Sequence, residues 1–187
     1  MKKKAIIFGI KGLYFIKKEK FFFKKIKPWG IILFSRNIKN IQQLKELVQS
    51  IREMFKDKKY PIMIDQEGGS VSRLNDLIDF SLFSQKLFGD FFYNNRKLLF
   101  IYYQIYINTV CNILKTVGIN INTVPVLDVK RRSTHKIIGS RSFSKNPLIV
   151  SKLGNLCIKL HNQNKIATVV KHIPGHGQST KDTHHNL

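Results

Sequence analysis

Ile166-Ala167-Thr168-Val169-Val170-Lys171-His172-Ile173-Pro174-Gly175-His176-Gly177 joins an apolar run to a loop dense in titratable side chains. The run has the length and β-branched content of a buried strand. Pro174, Gly175 and Gly177 then rule out a helix in the segment that follows. A strand that ends in charged groups and a glycine-bent loop is how a parallel-sheet protein presents chemistry at one face. The same event recurs upstream. Short apolar runs lie at 5–10, 30–34, 61–64 and 119–126, and polar residues cluster just after them: Phe34-Ser35-Arg36-Asn37, Asp65-Gln66-Glu67-Gly68-Gly69 and Asp128. Helical periodicities fill the gaps. Ile41, Leu44, Val48, Ile51 and Phe55 mark one face, with Asn40 as N-cap and Gln43 three residues on. Pro147 opens another, through Leu148, Val150, Leu153, Leu156 and Leu160. This alternation predicts an α/β fold with a parallel sheet in one domain spanning 1–187. In a TIM-type (β/α)8 barrel such strand ends converge on one face, and five strands are too few to close one. The expectation is a barrel truncated after about its fifth strand, with an exposed sheet edge and poor solubility.

Composition constrains the partners. The chain has 187 residues, 33 Lys and Arg against 11 Asp and Glu, and a formal net charge of +22. That charge invites a basic nucleic-acid-binding reading. Against it, the lysines are spread along the whole chain, and no aromatic-plus-basic RNA-recognition motif occurs. Runs such as 17–27 and 56–59 read as solvated faces. No nucleic-acid partner is expected. Cys111 and Cys157 lack metal or redox spacing and sit in apolar helical patterns, as buried free thiols suited to a reducing cytosol do. The one membrane candidate, 98–114, carries Gln104, Asn108 and Asn112 every fourth residue. A core helix with a wet stripe accounts for it better than a membrane span.

Several polar groups could carry chemistry. Asp65 and Glu67 stand beside a glycine pair with Arg73 downstream. A carboxylate at a strand end can accept hydrogen bonds from sugar hydroxyls, and glycines let backbone approach a ligand. The same residues also read as an acidic turn capping the next helix. Arg141, in Ile138-Gly139-Ser140-Arg141-Ser142-Phe143, is a fork for a carboxylate or amide-bearing ligand, or by itself a surface arginine. His172 and His176 have metal-like spacing, but the intervening Pro and Gly exclude a helical zinc motif and no third ligand is well placed. No metal and no cofactor are expected. Asp182 and His184 suit acid–base work, since Asp182 can orient an imidazole that titrates near neutrality.

Taken in order, Asp65-Gln66-Glu67-Gly68-Gly69 with Arg73-Leu74, Pro125-Val126-Leu127-Asp128-Val129, Ile138-Gly139-Ser140-Arg141-Ser142-Phe143, and Lys171-His172-Ile173-Pro174-Gly175-His176-Gly177 with Asp182-Thr183-His184 form a series. It resembles the glycoside hydrolase family 3 β-N-acetylglucosaminidases of the NagZ type. Pro28-Trp29-Gly30-Ile31-Ile32-Leu33-Phe34-Ser35-Arg36-Asn37 looks like that family's early strand and loop. The resemblance implies the N-terminal part of one catalytic barrel domain, its C-terminal part absent. It implies release of terminal non-reducing N-acetylglucosamine from muropeptides, with retention, in cytoplasmic peptidoglycan recycling. By the same resemblance Asp65, Arg73, Arg141, Lys171 and His172 hold the sugar, His184 is proton donor and acceptor, and Asp182 is its partner. The family's nucleophile is an aspartate downstream of these motifs, with no match here, so a polypeptide of these residues is expected to be inactive. A non-catalytic sugar-binding remnant is the alternative. Ser70 stands where the family usually has arginine.

Overall fold

The computed structural model describes residues 3–180. Five strands, β1 (Lys4–Gly9), β2 (Pro28–Leu33), β3 (Ile62–Ile64), β4 (Ile121–Asn122) and β5 (Ala167–Thr168), lie side by side in chain order, and every adjacent pair is parallel. Helix α1 (Lys17–Ile26) joins β1 to β2, α2 (Ile41–Phe55) joins β2 to β3, and α5 (Pro147–Gln163) joins β4 to β5. Two helices, α3 (Gln85–Asn94) and α4 (Arg96–Val117), lie between β3 and β4. A strand order that never reverses is that of a βα barrel wall; doubly wound sheets contain a reversal. The five expected strands are therefore present, though β4 and β5 are shorter than their apolar runs. The reason is local. Val124 donates back to the Asn122 carbonyl, and the strand path resumes only where Val126 bridges Lys171, with Lys171 N–H donating to Pro125 and Leu127 N–H to Lys171.

Capping decides where the helices begin. Asn40 Oδ1 accepts from Gln43 N–H at 2.8 Å, and Gln43 Oε1 accepts from Lys39 N–H at 2.9 Å, so the reciprocal pair expected from the sequence forms one residue early. The buried face of α2 is Leu44, Leu47, Val48 and Ile51; Ile41 in the first turn stays exposed. Pro147 opens α5 behind an Asn146 cap, but Leu148 points to solvent and the buried face runs through Ile149, Val150, Leu153, Cys157, Leu160 and His161. In α4 the buried stripe is Leu99, Tyr103, Tyr106, Ile107, Val110, Cys111 and Leu114. Gln104 and Asn112 face solvent, while Asn108 accepts from the Asn164 amide at 2.8 Å. No described helix is long and apolar enough to cross a membrane. Both thiols are free, and burial pushes each up to about 12.

Helices α2, α4 and α5 close over one face of the sheet around Ile31, Leu33, Ile62 and Ile64. Among the described residues β1 and β5 are the sheet edges, and Ile6, Ile7, Val169 and Val170 there are exposed. Of the glycines, Gly89 of α3 is the most closely approached: a Cβ there would stand 1.7 Å from the Phe143 carbonyl oxygen. That contact docks α3 on the segment carrying Arg141. Gly89→Ala is expected to destabilise the fold by about 3 kcal/mol, at the upper end of overpacking costs, read as a lowered urea midpoint. An unchanged midpoint would mean that this contact is not formed.

Candidate functional site

Asp65 leaves the carboxyl end of β3, and Lys171 and His172 follow β5, so parallel strand order brings residues 106 positions apart to the same edge. Asp65 Oδ1 accepts from the Thr123 hydroxyl at 2.9 Å and from the Lys171 ammonium, while Oδ2 takes Arg73 Nη2 at 3.2 Å. Burial alone would raise the Asp65 carboxyl. The Lys171 charge and hydrogen bond, the Thr123 hydroxyl and the Arg73 charge outweigh it and hold the group below the ordinary carboxylate range.

Glu67 lies two residues on, hence on the same side of an extended chain. Its side chain is 1% exposed, the most deeply enclosed member of the site's ion pairs with Arg141 and Lys171. Arg141 grips it as a fork, Nε to Oε2 at 2.8 Å and Nη2 to Oε1 at 2.9 Å, and Lys171 Nζ stands 2.5 Å from Oε1. Two carboxylates and three cations, Asp65 and Glu67 with Arg73, Arg141 and Lys171, thus form one network. For Arg141, burial works against the charged form, but Glu67 outweighs it and raises the guanidinium. Phe34, from the turn after β2, lies 5.7 Å beneath the Arg73 guanidinium.

A second pair sits beside the first. Asp128, its side chain fully enclosed, accepts from His172 Nδ1 at 2.6 Å and from the His176 backbone N–H. Burial alone would raise Asp128; these donors and the two imidazoles outweigh it and lower it. Gly175, at φ +116, lets the loop double back over that carboxylate, and a Cβ there would stand 3.1 Å from Asp128 Oδ1. The His172 and His176 rings meet edge to face at 4.6 Å. Among the described residues no group of three or more His, Cys, Asp or Glu is arranged to hold a metal ion. Asp65, Arg73, Arg141, Lys171 and His172 all line one open cleft of about 860 Å³.

The structure thus brings together all five sugar-contact residues expected from the sequence, while Asp182 and His184 lie outside the described residues. Two readings change. The acidic segment does not cap a helix, since none begins before Gln85. The glycine pair serves the protein's own packing: Gly68 at φ +86 and Gly69 at φ +59 lie beneath Phe83 and Ser84, where a Cβ on Gly68 would be 2.2 Å from the Phe83 oxygen. Glu67, offered from the sequence only as one of two possible hydroxyl acceptors, and Thr123 and Asp128, given no chemistry there, are the site residues whose contacts sequence reasoning missed. The two-residue spacing of Asp65 and Glu67 was the available signal for the first.

Residues 16–187 match the Glycosyl hydrolase family 3 N terminal domain. The chain is 39% identical to the beta-hexosaminidase of Shewanella frigidimarina over 160 residues, covering 83% of this chain and 44% of that protein. It is 32% identical to beta-hexosaminidase A of Pseudoalteromonas piscicida over 162 residues, covering 84% of this chain and 27% of that protein. Native NagZ from Neisseria gonorrhoeae superposes with a TM-score of 0.86 at 27% identity, over 99% of this chain and 53% of that one. The same enzyme in complex with N-trifluoroacetyl-D-glucosamine gives 0.84 at 27% identity, over 94% and 52%. The chain therefore spans about half the length of that solved structure, and less of these two curated relatives.

Removing one partner of a buried ion pair leaves the other uncompensated. Glu67→Gln is expected to cost about 3 kcal/mol, seen as a lowered denaturation midpoint, with a smaller loss for the more exposed Asp65→Asn. Asp65 and Asp128 titrate lower in the folded chain than in the unfolded one, so the unfolded chain takes up protons first as the pH falls. Their contribution is complete above about pH 4 and is lost as the pH falls through their folded-state values. Asp128→Asn should flatten that acid limb in a series of melting curves; an unaltered limb would count against the pairing.

Proposed function

The chain belongs to glycosyl hydrolase family 3, and from that membership we propose that it forms the sugar-holding part of a retaining β-N-acetylhexosaminidase. The single observation that carries this reading is the network of Asp65 and Glu67 with Arg73, Arg141 and Lys171, open to one cleft. Pyranose recognition needs acceptors and donors held rigidly in alternation, because neighbouring hydroxyls present both. Asp65 is the partly exposed acceptor, and Arg73 and Lys171 beside it are donors. Of the five N–H donors of Arg141, three are engaged by Glu67 and Ile137, which leaves two for a ligand. His172, held through Nδ1 by Asp128, keeps Nε2 for a sugar hydroxyl.

In this reading the substrate is a terminal non-reducing N-acetylglucosamine on a muropeptide, cleaved in the cytoplasm during cell-wall recycling. Residues 1–187 are the N-terminal part of one catalytic barrel domain. His184, oriented by Asp182, gives its proton to the leaving oxygen and then takes one from the water that hydrolyses the glycosyl-enzyme. A neutral imidazole suits the task because it adds no negative charge beside an anionic nucleophile. The complex of the Neisseria NagZ with N-trifluoroacetyl-D-glucosamine supports the amino-sugar class.

The 187-residue polypeptide is expected to bind N-acetylglucosamine in the millimolar range and to lose that binding in Asp65→Ala, measured by calorimetry. A folded sample giving no heat at millimolar sugar would overturn the assignment. No residue here matches the family's nucleophile, so a chromogenic N-acetylglucosaminide should not turn over. Turnover that His184→Ala abolishes would refute the expected inactivity.

A further inference from the structure

Beneath the cleft lies a buried polar chain that the sugar contacts do not use. His161 of α5 is 2% exposed. Its Nδ1 is 2.9 Å from the Cys157 carbonyl, which can only accept, so Nδ1 carries the proton. In a neutral ring Nε2 is then an acceptor, and the Asn122 side-chain nitrogen stands 3.2 Å from it. The Asn122 amide is itself oriented by backbone. Its oxygen accepts from Gln66 N–H at 3.0 Å and its nitrogen donates to the Gln66 carbonyl at 3.0 Å. Gln66 in turn accepts through Oε1 from Arg73 N–H at 2.7 Å and Leu74 N–H at 3.1 Å. One imidazole tautomer and one amide orientation satisfy every contact.

We infer that His161 is a positioning residue for the sugar site: its neutral, Nδ1-protonated ring locks the Asn122 amide, which clamps Gln66 and so seats Asp65, Glu67 and Arg73. The clamp is needed because β3 ends at Ile64, and beyond it the backbone of Gln66 has Asn122 in place of a ladder partner. With a proton on Nε2, two donors would face each other. Turning the Asn122 amide to relieve that would set oxygen against the Gln66 carbonyl and NH2 against its N–H. The surroundings favour the neutral ring. Burial lowers the imidazole, opposed by its bond to the Cys157 carbonyl. The titratable groups that line the same small cavity as His161 are Cys157 on its own helix, Tyr103 and Tyr106 of α4, and Glu67, with Cys111 of α4 next to Cys157. Burial raises the two thiols and both phenols, and Glu67 is held by Arg141 and Lys171.

The sugar part of this inference rests on the proposed function, so the test reads position and binding separately. In the wild-type chain at pH 7.5, imidazole 15N shifts should report a neutral His161 protonated at Nδ1; an Nε2-protonated or charged ring would overturn the inference. His161→Phe, which keeps the bulk and removes the acceptor, should shift the backbone amides of Asp65, Gln66 and Arg73. It should also weaken N-acetylglucosamine binding about tenfold, the scale of one buried hydrogen bond. His161→Gln, whose amide oxygen can accept from Asn122, should restore both. Wild-type amide shifts in folded His161→Phe would refute the clamp. Should that variant not fold, the wild-type tautomer and the His161→Gln rescue decide. A wild-type chain that binds no sugar, with these shifts as expected, would sink the proposed function and leave the positioning role standing.

Discussion

A carboxylate enclosed as deeply as Glu67 is costly unless charged donors reach both its oxygens. Arg141 reaches both from the loop after β4, and Lys171 adds a second cation at Oε1 from the end of β5. Those two cations cannot arrive unless the strands pair in chain order and α3 docks against the segment that carries Arg141. The fold and the site are thus mutually conditional. Sheet order delivers the cations, and the anion at the end of β3 makes their burial tolerable.

Around that centre the site is built in depth. Asp65, partly exposed, is the face that a ligand can reach; Glu67 behind it orients Arg141 and Lys171. Asp128 does for His172 what Glu67 does for the arginine, fixing one ring nitrogen and leaving the other to the cleft. Deeper still, Asn122 and His161 brace the loop from below. Arg141, Lys171 and His172 each have a buried carboxylate behind them, and this fixes their geometry before any ligand arrives.

Much of this was legible from residue order. The apolar runs ending in polar clusters mark the strands and their functional ends, and Asn40, Pro147 and the α4 periodicity mark helices that form. The misreadings have physical causes. Leu148 and Ile41 were counted into buried faces, but the first turn of a helix can point away from the sheet. The glycines after Glu67 look like a ligand cradle, yet the loop at Phe83 and Ser84 fills that space. His161 carries no sequence signal at all. It lies on the apolar face of α5, and only its contact with Asn122, 39 residues away, shows what it does.

The sequence by itself determined the family, the parallel α/β class and the five side chains that meet at the cleft, because strand ends, turn residues and motif order are local properties. Tertiary structure alone decided which carboxylate faces the cleft and which is enclosed, which cation each one holds, which partner Nε2 of His161 meets, and which ring nitrogen of His172 is engaged. Those outcomes depend on distances between segments far apart in the chain, and burial and electrostatics act through such distances.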